Sequence, residues 1–146
     1  MIKDSQKKKD VAFIMYSSFH WYVYKNIYKH LSERSEFIID LCMYNEEDVG
    51  RVLNDMVTLL ESNRVPYKIL RREDYYYSAY LEFFFSGYVA LVSVWERGCV
   101  ILKETAAILK INTTYGAGKE LTMVRPSRGL YDLILSYGPR DTSLFS

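Results

Sequence analysis

Val11-Ala-Phe-Ile-Met-Tyr-Ser-Ser-Phe-His-Trp21 is the stretch on which the fold turns. Residues 11–16 form an unbroken apolar run of strand length, without the alternation of a half-buried strand. Such a run suits a strand covered on both faces, as in a parallel sheet. Ser17 and Ser18 then offer N-cap oxygens, and Trp21, Tyr24, Ile27, Tyr28 and Leu31 recur at helical spacing with Lys25, Lys29 and Glu33 off that stripe. The spacing predicts a helix over residues 19–34.

The alternation of strand and helix continues outward from this unit. Residues 36–43 read as a second strand. Asn45-Glu-Glu-Asp48 places acid in an opening helical turn, and Val49, Val52, Leu53, Met56, Val57 and Leu60 follow at helical spacing as far as Asn63. Residues 66–70 read as a third strand. The aromatic stretch 75–85 is read as a helix, although so many aromatics leave helix and strand hard to separate. It is either core packing or an exposed platform for an acceptor, a lipid surface or a partner. Residues 87–94 are a fourth strand, 96–110 a helix, 111–115 a fifth strand that breaks at Gly116-Ala-Gly118, and 130–137 a sixth stopped by Gly138-Pro139. The expected fold is therefore α/β: a three-layer, Rossmann-like, doubly wound and mostly parallel sheet of about six strands. Residues 1–9, with Lys7, Lys8 and Lys9 in a row, read as a flexible basic arm, and residues 10–146 as one domain.

Composition narrows the function. The 146 residues carry 19 Lys+Arg against 18 Asp+Glu, a net charge of +1. No global field therefore attracts nucleic acid or an anionic membrane, and only a local patch remains open. No apolar run is long enough to cross a bilayer, so a soluble, cytoplasmic protein is expected, with peripheral contact at the inner face of the membrane left open. Cys42 and Cys99 are too few for a disulfide scaffold or a four-ligand zinc site and are expected as reduced, buried thiols. His20 and His30, ten residues apart, cannot form the adjacent ligand pair of a helical metal site, so neither metal nor other cofactor is expected. The 14 tyrosines imply a core with wet edges or an extended contact surface.

In doubly wound sheets ligands bind beyond the carboxyl ends of the strands, where the connections diverge. This singles out the loops at residues 16–20, 94–98, 115–120 and 137–140, and the first three carry candidate clusters. Ser17-Ser18-Phe19-His20 is either a plain N-cap with a surface histidine or a helix start that holds a phosphate or sugar oxygen. Trp95-Glu96-Arg97-Gly98 sets a carboxylate beside a guanidinium, as a general base or hydroxyl-binding pair or as an ordinary cap with a salt bridge. Tyr115-Gly116-Ala117-Gly118-Lys119-Glu120 allows close approach of a phosphate, or is simply a glycine turn. It is not a Walker A loop, because Thr113 stands where the first glycine belongs and Glu120 where Ser or Thr would hold magnesium. Asn112-Thr113-Thr114 matches a glycosylation acceptor, which carries no meaning in a strand of a cytosolic protein. No serine or cysteine triad is readable by spacing.

These motifs in this order, namely 11–21, Trp95-Glu-Arg-Gly98, Thr114-Tyr-Gly-Ala-Gly-Lys119 and Tyr131-Asp-Leu-Ile-Leu-Ser-Tyr-Gly-Pro139, resemble the N-terminal half of bacterial CDP-glycerol glycerophosphotransferase-like proteins and neighbouring GT-B glycosyltransferases. The resemblance spans about residues 10 to 146 and rests on the order of moderately specific motifs. It implies an acceptor-side Rossmann-like domain in the synthesis of a surface polysaccharide or teichoic-acid-type polymer. It further implies a polyol or sugar acceptor, and a nucleotide-activated donor held by a partner C-terminal domain or subunit. His20 and Glu96 would then be catalytic, with Ser17, Ser18, Arg97, Tyr115, Gly116, Gly118 and Lys119 binding substrate. The sequence departs from the family where a catalytic His-Gly pair is common. Tyr115-Gly116 stands there, and a phenol with a pKa near 10 is a poor base at neutral pH. The alternative is a non-catalytic Rossmann-like binding or scaffold module. A flavodoxin-like or receiver-like domain is weaker, because Glu46-Glu47-Asp48 follows the second strand instead of the first.

Overall fold

The computed structural model describes residues 8–94, 109–113 and 131–135. It is an α/β structure with strands β1 (Val11–Met15), β2 (Ser35–Asp40), β3 (Tyr67–Leu70), β4 (Ala90–Ser93), β5 (Leu109–Thr113) and β6 (Leu133–Leu135). The helices are α1 (Phe19–Leu31), α2 (Glu46–Ser62) and α3 (Ser78–Phe85), with short 3₁₀ turns at Ser32–Arg34 and Arg72–Tyr76. All six strands pair in parallel, in the order β3-β2-β1-β4-β5-β6. This is the order of the Rossmann sheet, wound outward from β1 in one direction and from β4 in the other.

The apolar run of β1 is buried along its whole length because the sheet is covered on both faces. Val11, Phe13 and Met15 join Phe37 and Ile39 of β2 beneath Trp21, Tyr24 and Tyr28 of α1 and Met56 and Leu60 of α2. Ala12 and Ile14 point the other way and meet Ile38, Leu91 and, from α3, Leu81 and Phe85. Alternation along each strand thus feeds two cores, one under α1 and α2 and one under α3. The first is aromatic at its centre. Phe13 and Phe37 stack with ring centroids 5.3 Å apart, and Tyr24, Tyr28 and Trp21 close around Phe37 at 5.5–5.9 Å.

The tyrosines show why this residue type is abundant. Their rings fill core space while their hydroxyls satisfy polar groups at its boundary. Tyr24 Oη donates to the carbonyl of Ile14 at 2.7 Å, Tyr44 to the carbonyl of Tyr16, and Tyr67 to Glu61 Oε1 at 2.9 Å. The 75–85 stretch divides between the two readings it allowed. Leu81 and Phe85 are core, whereas Tyr76, Tyr77, Tyr80 and Phe83 are exposed.

Element ends differ from expectation for local reasons. β2 stops at Asp40 because its carboxylate accepts the Cys42 amide at 3.0 Å and turns the chain. Cys42 is consequently half-buried, less enclosed than expected. α1 ends at Leu31 and tightens into the 3₁₀ turn. β5 begins at Leu109, two residues before its expected start. The helix expected over 96–110 falls mostly outside the described residues, as do Cys99, the glycine turn at 116–118, the Gly138-Pro139 stop and most of the basic arm.

α2 ends in a Schellman motif. The Val65 amide donates to Leu60 O at 2.9 Å and the Arg64 amide to Glu61 O at 3.0 Å. Arg64 takes φ 56°, where a Cβ is strained. Arg64→Gly is expected to raise unfolding free energy by up to about 1 kcal/mol. A urea midpoint at or below that of the wild type would contradict this.

Candidate functional site

The strand order sets the connections diverging between β1 and β4, and in doubly wound sheets the carboxyl edge at such a point is where ligands bind. Three of the expected site residues lie on it, in the turn from β1 to α1. Ser17 and Ser18 are half-buried, and Phe19 beside them is half-exposed. Ser17 Oγ accepts from the Phe19 amide at 3.3 Å. The His20 and Trp21 amides donate to the carbonyls of Ser17 and Ser18 at 3.0 and 3.2 Å. Ser18, at the N-cap position, makes no side-chain cap bond. The turn thus closes on itself through the amides that an anion would otherwise use, and it contains no glycine to bring a pyrophosphate close to the backbone.

His20 occupies the first turn of α1, but it does not face the crevice as expected. Its ring is fully buried. Nδ1 accepts the Tyr16 amide at 3.2 Å, and the ring lies edge-on to that of Tyr16 with centroids 4.4 Å apart. A neutral imidazole that accepts at Nδ1 carries its proton on Nε2. Burial lowers the His20 pKa to about 4, so the ring is neutral at physiological pH. Its lone pair is committed to Tyr16, and its geometric effect is to fix the last residue before the turn. The Tyr44 hydroxyl holds the carbonyl of the same residue. Tyr16 is thereby held through both its amide and its carbonyl.

β4 and β5 bring polar groups to the same edge. Ser93, Asn112 and Thr113 are all buried, and Asn112 Nδ2 donates to the Ser93 carbonyl at 3.2 Å. Polar side chains at the ends of otherwise apolar parallel strands stand out, because burial without partners is costly. That signal was present in the sequence, although the Asn-Thr-Thr pattern there resembles a glycosylation acceptor. Further along the edge, a cavity of about 300 Å³ opens beyond β2 and β3 between Tyr44, Asn45, Arg71, Arg72 and Tyr76. Glu46 and Glu73 line it together with the two arginines, so local charge is mixed. Glu96, Arg97, Tyr115, Gly116, Gly118 and Lys119 lie outside the described residues.

Among the described residues, no group of three His, Cys, Asp or Glu side chains is placed to hold a metal ion, and no helix is long and apolar enough to cross a membrane. Compared with known proteins, the chain matches no family model, no curated protein and no solved structure.

Proposed function

We propose that this Rossmann-like domain is the acceptor-side half of a glycosyl or glycerophosphoryl transferase that builds a cell-surface polymer. On this reading a partner domain or subunit binds the activated nucleotide donor. The observation that carries it is the switch point itself: β1 and β4 lie side by side, and their carboxyl edge ends in Ser17, Ser18 and Ser93, with Asn112 of β5 next to Ser93. Hydroxyl and amide groups suit a polyol or sugar, and a first turn without glycine disfavours a dinucleotide on this half. The acceptor oxygen would attack the donor's electrophilic carbon or phosphorus and lose its proton to a base, displacing the nucleotide. Glu96 is the candidate base, with Arg97, Tyr115, Gly116, Gly118 and Lys119 as candidate binding groups. His20 acts as a positioning residue that holds Tyr16.

A second reading, a non-catalytic binding module, draws support from the burial of His20 and the closed β1–α1 turn. Two measurements separate the readings. Glycerol 3-phosphate is expected to shift the amide resonances of residues 17–19 and 93–94, while CDP-glycerol leaves that edge unperturbed and the chain alone turns over no donor. Donor turnover by the isolated chain would overturn the half-enzyme reading. Absence of any acceptor-induced shift on this edge would favour the non-catalytic module.

A further inference from the structure

The opposite edge of the sheet carries a second cavity, of about 520 Å³, with different chemistry. It lies at the amino ends of the strands on the α3 side, walled by Lys8, Lys9, Glu36, Lys68, Phe84 and Tyr88. Glu36 and Lys68 come from the neighbouring strands β2 and β3. They share the sheet face that carries Ile38 and Leu70 into the core under α3. The Glu36 carboxylate is buried, accepts from the Tyr88 hydroxyl and pairs with Lys68 Nζ at 3.2 Å. Burial, reinforced by Glu36, holds the Tyr88 phenol far above its usual pKa, so it remains a donor. The one carboxylate among the described residues of the lining is therefore satisfied from within.

The cations are not balanced in the same way. Lys68 Nζ also stands 5.4 Å from the centre of the Tyr88 ring and 5.9 Å from that of Phe84. Lys9 Nζ donates to the Glu33 carbonyl at 3.1 Å, and Lys8 reaches over Gly87. Neither Lys8 nor Lys9 has a carboxylate within ion-pair distance among the described residues. Nearby Asp10 is itself engaged by Arg34. Among the described residues lining the cavity, Lys8, Lys9 and Lys68 thus stand against the single carboxylate of Glu36, an excess of two positive charges on a lining that also carries Phe84 and Pro66.

We propose that this cavity binds a small aromatic phosphomonoester, with the phosphate among Lys8, Lys9 and Lys68 and the ring against Phe84 and Pro66. A phosphomonoester dianion matches the two unbalanced charges, whereas a carboxylate supplies only one. The half-buried Phe84 ring offers an aromatic surface on which a second ring can pack, and the volume is that of a small-molecule site. The site stands on the far edge from the crevice between β1 and β4 and does not depend on the transferase reading.

Phenyl phosphate, inorganic phosphate and phenol, each titrated into the full chain by calorimetry and amide NMR, test this. Phenyl phosphate is expected to bind at least tenfold more tightly than either fragment, to shift the amides of Lys68, Gly87 and Tyr88, and to weaken as salt rises. The Lys8→Ala/Lys9→Ala double variant should lose at least tenfold in affinity at an unchanged Tm, because neither side chain makes an ion pair among the described residues. Phe84→Leu should weaken phenyl phosphate and leave inorganic phosphate unchanged. Equal affinity for phenyl and inorganic phosphate would overturn the proposal. So would undiminished binding by the double variant, or shifts confined to residues 17–19.

Discussion

Phe37→Ala is expected to lower the unfolding free energy by about 4 kcal/mol and the thermal midpoint by roughly 10 °C. Phe37 is wholly buried in the middle of β2, between β1 and β3, and touches four aromatic rings contributed by β1 and α1. Truncation removes the ring from that cluster and leaves a void that the backbone cannot close, because parallel ladders on either side hold it in register. Domains are stable by only about 5–15 kcal/mol, so this one change removes a large share. Phe37→Leu, which keeps most of the volume, should cost no more than about 1.5 kcal/mol. Urea denaturation of both variants decides it. An alanine variant less than about 1 kcal/mol below the wild type would show that the ring cluster is not the packing centre of this face.

The second large effect is a pH dependence carried by His20. Its unfolded pKa is 6.5 and burial lowers the native value to about 4. Above pH 6.5 the ring is neutral in both states and contributes no pH dependence. As pH falls below 6.5 the unfolded chain takes up a proton that the native core refuses, so stability declines until about pH 4, where both states are charged. The window corresponds to a loss of about 3 kcal/mol at 1.36 kcal/mol per pKa unit. His20→Gln retains an acceptor for the Tyr16 amide but does not titrate. Its stability should therefore fall less than that of the wild type between pH 7 and pH 4.5, with the difference measured by urea midpoints. Parallel pH profiles for the two proteins would show that His20 is solvated and free to protonate in the native state.

Much of the fold was legible because apolar periodicity is local. The unbroken run at 11–16 required cover on both faces, and the stripe from Trp21 to Leu31 required a helix on one of them. Alternating elements then leave few topologies for a chain of this length. Boundaries were less legible because they depend on hydrogen bonds that a pattern does not contain. The Asp40 carboxylate that ends β2, and the Schellman bonds that hold Arg64 at positive φ, are of this kind.

The candidate sites divide along the same line. The sequence by itself determined that Ser17, Ser18 and His20 stand at a strand-to-helix junction, because hydrophobic spacing places both elements without reference to the rest of the chain. Only the tertiary structure decided that the His20 ring turns inward to hold Tyr16. That orientation depends on β1, α1 and Tyr44 from the loop after β2 meeting at one point. The same is true of the lysine-walled cavity. Lys8, Glu36, Lys68 and Tyr88 are scattered along the chain, and parallel pairing of β2 with β1 and β3, and of β1 with β4, is what brings them to one edge. Local spacing reports which face a residue occupies, but strand order alone determines which distant residues share it.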